Sequence, residues 1–310
     1  MRVVFLGSAD FGIPALEVLH RKHTLAGVVT TPPRPRGRGL KFAESPVALH
    51  TRTIADVPIF TPEALTESSF IAALRKLSAD CFVVVAYRLL PAEVFSLPEL
   101  GTVNIHASLL PAYRGPAPIQ RAIEAGERST GITIFRIDEG IDTGEILRQT
   151  AVDIGTEETT PQLYGRLSRL GAETLEVTLD ELQTGSCTPQ QQDHSRACKA
   201  PKLKKHESIL HWKFPAREIF NKIRAFKPFP GTVTLTGSGR LGIEWGEPVA
   251  ETTSLGPCGS VVAVHTDSFD VQTGSGILRV LAVKPEGRKT MSAAEYMRGT
   301  LLREGMQFHE

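Results

Sequence analysis

Up to Cys187 the chain alternates between two spacings of apolar residues. "RVVFLG", "LAGVVT" and "CFVVVAY" are short, nearly continuous apolar runs with many β-branched residues. That is the pattern of strands covered on both faces of a parallel sheet. Between them, "FGIPALEVLHRK" and "FIAALRKL" space their apolar residues for one helical face, and Pro14 suits a helix start. "APIQRAIEAG" adds another helix, and "TGITIFRID" and "GEILRQTAVDI" add two strands. "TPQLYGRLSRLGAETLEVTLDELQTG" reads as a long amphipathic helix closing the unit. The alternation predicts right-handed βαβ units and a fold of the α/β class.

The pattern then vanishes across "CTPQQQDHSRACKAPKLKK", which reads as an extended polar linker. Beyond one more helix, "PAREIFNKIRAF", short runs follow between glycines: "TVTLTG", "RLGIEWG", "GSVVAV", "SFDVQTG" and "ILRVLAV". Such runs predict a small β-barrel. The expected division is therefore 1–187, a linker at 188–206, and 207–310.

Composition narrows this picture more than it redraws it. At 310 residues, 41% hydrophobic and 22% charged, the chain has the profile of a soluble globular protein with room for about two domains. No apolar run approaches the ~18 residues of a membrane span, and the first residues enter a strand without a signal-peptide pattern. Cys81, Cys187, Cys198 and Cys258 form no CxxC and read as reduced thiols of a cytoplasmic protein. The net charge of +1 hides an uneven spread. Arg34, Arg36, Arg38 and Lys41 fall together without an acid, and Arg196, Lys199, Lys202, Lys204 and Lys205 fall with only Asp193 among them. Two irregular basic segments suit a polyanionic partner, or simply a solvated surface. The low net charge and the lack of a heptad seam predict a monomer.

Chemistry concentrates in "TVNIHASLLPAYRG", residues 102–115. Period two in a strand turns Asn104, His106 and Ser108 to one face and Val103, Ile105 and Ala107 to the other. The carboxyl end of a parallel strand is where open α/β sheets bind ligands. Further on, "DEGIDTGEI" places Asp138 and Asp142 in a Gly-bounded loop, and one of these acids can reach His106. A carboxylate orients an imidazole, and an Asn amide beside it can hold a developing oxyanion. With no activated Ser, Cys or Thr in view, the set suits direct transfer of a carbonyl-bearing group. It is equally compatible with a strand end whose polar groups are satisfied.

Other motifs fail. "GSADFG" lacks the middle Gly of GxGxxG and the Lys-Ser/Thr of a P-loop, which removes a nicotinamide oxidoreductase. "HESILH" spaces its histidines by five rather than four, and no metal site is expected.

"NIHASLLPAYRGPAPIQRAI" followed by "DEGIDTGEIL" resembles the folate-dependent formyltransferases, in which N-x-H, SLLP and D-x-G-x-D-T-G occur in this order. The resemblance implies a Rossmann-like parallel-sheet domain followed by a small OB-like β-barrel domain. It implies 10-formyltetrahydrofolate as formyl donor, Asn104, His106 and Asp142 as the catalytic trio, and Ser108, Leu109, Leu110 and Pro111 in the folate site. The likeness extends over nearly the whole chain, to the branch of that family that formylates the α-amino group of methionyl initiator tRNA. "TPPRPRGRGLKFAESPV" looks like that branch's tRNA-contacting loop, "KLKKHESILHW" its linker, "IRAFKPFPG" and "KPEGRKTMSAAEY" the ends of its C-terminal domain. Arg34, Arg36, Arg38, Lys41, Lys202 and Lys204 are then the residues expected to meet tRNA, with Arg38 foremost. Two positions depart from the family pattern: Arg88 stands where Gly is usual, and Pro116 where Ala is common. Formyl transfer to a small amine, or RNA binding without catalysis, are the readings left beside this one.

Overall fold

A computed structural model describes residues 1–36, 41–237, 239–250 and 254–310. Arg38, the basic residue expected to be foremost at tRNA, lies outside the described residues. The chain divides into two compact units. The first comprises residues 1–118, 129–153 and 164–200; the second comprises 119–128, 154–163 and 201–310.

In the first unit, β1 (Arg2–Gly7), α1 (Ile13–Lys22) and β2 (Thr24–Val29) make the opening βαβ unit. A two-stranded antiparallel ribbon follows, β3 (Arg34–Arg36) with β4 (Lys41–Ala43). The basic stretch expected to be irregular is thus a paired ribbon on both sides of residues 37–40. After α2 (Pro46–Ile54) come β5 (Ile59–Phe60), α3 (Ser68–Lys76), β6 (Cys81–Val85), α4 (Ala92–Phe95) and β7 (Thr102–His106). Through α5 (Pro118–Glu124), which falls in the second unit from Ile119 on, the chain reaches β8 (Ser129–Arg136), β9 (Ile146–Asp153) and the 25-residue α6 (Thr160–Thr184), which counts with the first unit from Tyr164 on. The sheet order is β5-β2-β1-β6-β7-β8-β9. Strands β5 to β7 run parallel, whereas β8 is antiparallel to β7 and β9 to β8, so the sheet is parallel in its body and antiparallel at one margin.

The near-continuous apolar runs have their cause in this layering. Val4 and Leu6 of β1, with Phe82 and Val84 of β6, join one core with Phe70, Ile71 and Leu74 of α3. Val3 and Phe5, turned to the other face, are equally inaccessible. Gly171 lets α6 approach β7, since a Cβ there would sit 2.9 Å from Ile105 Cγ2. Cys81 lies within the sheet, where burial pushes its thiol up to about 12, and all four cysteines are free.

The second unit holds α7 (Ala216–Ala225), β10 (Val233–Thr236), β11 (Gly239–Ala250), β12 (Val261–Val264), β13 (Phe269–Gln272), β14 (Ile277–Pro285), β15 (Met291–Ser292) and α8 (Ala293–Gly299). Its antiparallel sheet runs β10-β11-β14-β13-β12, with β15 added on β14. Register shifts in β11 at Ile243, Trp245 and Pro248 bend the long strand, the device by which a small sheet curls toward a barrel. Ile219, Phe220 and Ile223 of α7 fill the concavity with Trp212, Phe269 and Phe308, and Trp212 Nε1 donates to Thr234 Oγ1 at 2.9 Å. This is the small OB-like barrel expected.

Candidate active site

β7 carries Asn104 and His106 to the carboxyl end of the parallel strands, where Asn104 pairs in register with Phe135 of β8 and His106 with Thr133. The half-buried Asn104 amide makes no hydrogen bond among the described residues, so its N–H donors are unengaged. His106 is 6% exposed. Its Nε2 lies 2.9 Å from the Tyr113 carbonyl oxygen. A carbonyl only accepts, so Nε2 carries the proton and donates. On the other side of the ring, Nδ1 lies 3.6 Å from Asp142 Oδ2. That separation is too long for a direct hydrogen bond and within ion-pair reach. Phe135 stands edge-on to the imidazole, with centroids 6.4 Å apart.

Of the two aspartates in the 138–146 loop, Asp142 is the one that faces His106. Asp138 Oδ1 accepts from the Gly140 N–H at 3.0 Å and from Thr143 Oγ1 at 2.6 Å, which folds the loop on itself. Asp142 Oδ2 accepts from the Gly115 N–H at 2.8 Å, tying this loop to the one that follows β7. Gly144 is required by close approach: a Cβ there would lie 1.7 Å from the Arg136 carbonyl oxygen. The backbone is unusual where the loops meet, with Tyr113 at φ 60° and Asp142 at φ 54°. Asp tolerates the left-handed region; a bulky Tyr there is a genuine outlier.

Period two does not extend to Ser108. β7 ends at His106, and the fully buried Ser108 hydroxyl donates to the Ala112 carbonyl at 2.7 Å. Its carbonyl accepts from Thr133 Oγ1, which in turn accepts from the Leu110 N–H. Gln149 Nε2 completes this knot by donating to Thr133 Oγ1 and the Leu110 carbonyl. Ser108 to Pro111 therefore forms a shaped turn, with a cis Leu110–Pro111 bond. It offers surface through Leu109 and Pro111, which are half-buried, while Leu110 is buried.

Arg88, one of the two departures from the family pattern, turns its guanidinium to the carbonyls of Pro62 and Glu63 and to the Tyr87 hydroxyl. Burial pushes the Tyr87 phenol up, with the Arg88 contact acting the other way. The apolar Leu89 beside it stays exposed. Of the basic residues, Arg34, Arg36 and Lys41 belong to the β3–β4 ribbon, with Arg34 exposed. Lys202 and Lys204 are exposed in the second unit.

The residues that wire the loops together carry no motif in the sequence. Between Cys187 and Ala200 the supposed free linker is held against the first unit. Gln190 bridges Ile146, Lys199 bridges Arg114, and Ala200 N–H donates to the Arg114 carbonyl. Gln192 is 5% exposed and reaches both loops. A glutamine run signals only a polar segment; nothing in its spacing distinguishes a buried Gln from exposed ones.

Profiles of known protein families match this chain as Formyl transferase over residues 1–179 and as Formyl transferase, C-terminal domain, over 202–301. The chain belongs to the formyl transferase family. Among its relatives is the methionyl-tRNA formyltransferase of Geobacter metallireducens, 39% identical over 99% of this chain and 98% of that protein. The methionyl-tRNA formyltransferase of Moorella thermoacetica is 41% identical over 96% of each. In fold, the N-formyltransferase from Helicobacter canadensis, solved in complex with folinic acid and dTDP-3-aminofucose, is similar with a TM-score of 0.67 at 18% identity, over 90% of this chain and 97% of that one.

Proposed function

We propose that this protein transfers the formyl group of 10-formyltetrahydrofolate to the α-amino group of methionyl initiator tRNA. The observation that carries this reading is the unengaged Asn104 amide beside a His106 ring that faces Asp142. The acceptor class comes from relatives about 40% identical along the whole chain; the likeness to amino-sugar enzymes is one of fold.

An α-amino group has an ordinary pKa near ~7.7–8.0, so a useful fraction is free amine at neutral pH. It attacks the formyl carbon directly, the C–N bond to the folate nitrogen breaks, and the amine loses a proton. Asn104 donates to the formyl oxygen as its negative charge grows. With Nε2–H fixed on Tyr113, the Nδ1 side of His106 and the Asp142 carboxylate receive or relay the amine's proton and deliver it to the leaving nitrogen. The folate supplies the activated formyl group; Leu109, Pro111 and the turn closed by Ser108 shape its seat. That turn is braced by the Thr133 and Gln149 side chains of the neighbouring strands and by the Ser108 hydroxyl, so Leu109 and Pro111 present their apolar surface from a held backbone.

In this reading residues 1–187 perform the transfer, 188–206 form a basic strap, and 207–310 help hold the tRNA. Arg34, Arg36, Arg38, Lys41, Lys202 and Lys204 meet its phosphates or bases. The protein acts in the cytoplasm as a monomer. The test is transfer of labelled formyl from 10-formyltetrahydrofolate to methionyl-tRNA, with a nucleotide-linked amino sugar as the competing acceptor. Labelled tRNA is the expected product; label on the sugar alone overturns the proposal.

A further inference from the structure

The Gln192 side chain makes four contacts from a nearly buried position. Its Nε2 donates to the Asp142 carbonyl at 3.0 Å and to the Gly144 carbonyl at 2.7 Å. Its Oε1 accepts from Arg114 Nε at 3.2 Å and Nη2 at 2.5 Å. Both carbonyls only accept and a guanidinium only donates, so the amide has one orientation that pairs all four contacts. Arg114 Nη2 also contacts His194 Nδ1 at 3.0 Å, and the Arg114 N–H donates to the Cys198 carbonyl.

The two loops joined in this way are the ones that face the two nitrogens of His106. The 113–115 loop supplies the Tyr113 carbonyl to Nε2, and the 138–144 loop supplies the Asp142 carboxylate opposite Nδ1. Tyr113 and Asp142 both occupy the left-handed region. Such residues keep that conformation only where their surroundings over-determine it. Gly115 N–H fixes the Asp142 side chain, while Gln192 fixes its carbonyl.

We infer that Gln192, braced by Arg114, is a positioning residue that sets the Asp142 carboxylate against His106. It acts through the main chain of Asp142 and Gly144. This rests on the roles proposed above for His106 and Asp142. The consequence is that the segment between Cys187 and Ala200 is part of the catalytic apparatus, in addition to leading toward Lys202 and Lys204.

Two substitutions divide the clamp. Gln192→Met keeps the length of the side chain and removes all four contacts. Gln192→Glu keeps an acceptor for Arg114 and puts an oxygen against the two carbonyls, releasing only the Asp142 loop. Both should lower kcat by about 10²-fold, the scale of a small misplacement of a catalytic group, with KM for both substrates nearly unchanged. Both should shift the His106 imidazole 15N resonances. A Gln192→Glu protein with wild-type kcat and wild-type His106 resonances overturns the inference. So does a Gln192→Met loss of activity that leaves those resonances unmoved. Because the resonances are read without turnover, the clamp is tested separately from catalysis. If His106→Ala keeps full activity, the catalytic roles fall while the resonance shift still decides the positioning. Thermal unfolding of both variants identifies a misfolded protein, and Gln192→Glu, closest in shape, then carries the test.

Discussion

His106 has one ring nitrogen fixed by a main-chain carbonyl and the other turned toward a carboxylate. This division gives each flanking group a separate task, and substitutions separate them. Asp142→Asn keeps an oxygen to accept from Gly115 N–H, so the loop holds, but it removes the charge and the proton acceptor. The expected result is a fall in kcat of about 10²–10⁴-fold, the usual worth of a placed acid or base, with a much smaller change in KM. A fall in affinity with kcat preserved would assign Asp142 to binding instead. At this scale the sequence was informative for where Asn104, His106 and Asp142 lie, because a strand end projects the first two and the motif carries the loop that sets Asp142 opposite His106. It misled for Ser108, since alternation is a property of extended backbone and β7 stops two residues earlier. Tyr113 and Gly115 were illegible because they act through main-chain atoms, which every residue type possesses.

Elements follow the apolar pattern closely wherever one or both faces are covered. The runs in β1, β2 and β6 and the helical spacing in α3, α6 and α7 needed only local physics to be read. The antiparallel direction of β8 and β9 needed the length and path of the connections, which no period encodes. The segment after Cys187 looked free because polar residues predict solvent; its order comes from bridges to Arg114 and Ile146, distant in sequence. Two tests belong here. Gly144→Ala forces a Cβ onto the Arg136 carbonyl oxygen, closer than any real contact, so the 138–146 loop must move. A loss of activity exceeding the loss of thermal stability is expected; a fully active Gly144→Ala enzyme would show that the loop's placement is unimportant.

In the second unit, Asp270 joins β13 to β14 through Arg279, with His265 alongside. Burial pushes its carboxyl up, but hydrogen bonds from Arg279 and His265 outweigh this, and the net position is below the usual 3.8. A carboxyl lowered in the folded state stabilises above its unfolded pKa, and that contribution is lost as pH falls through the folded value. Asp270→Asn should therefore lower the unfolding temperature at neutral pH, with the gap to wild type closing as pH drops below about 4. A gap independent of pH in that range would contradict the assignment.

At the scale of the whole molecule, the nearly neutral net charge conceals two basic segments, and the proposed partner is a polyanion. Binding of methionyl-tRNA should weaken as salt rises, through counterion release. Replacing Lys202 and Lys204 together by Ala should reduce the slope of log affinity against log salt by about 2, roughly one per phosphate contact. An unchanged slope would take those lysines out of the interface. The central claim is formyl transfer to the methionyl group carried by initiator tRNA, and one comparison tests it most directly. Labelled formyl from 10-formyltetrahydrofolate is offered to the wild-type protein with initiator methionyl-tRNA, elongator methionyl-tRNA and free methionine in parallel. The account predicts rapid transfer to initiator methionyl-tRNA, far less to the elongator, and none measurable to the free amino acid. Absence of transfer to initiator methionyl-tRNA would contradict it.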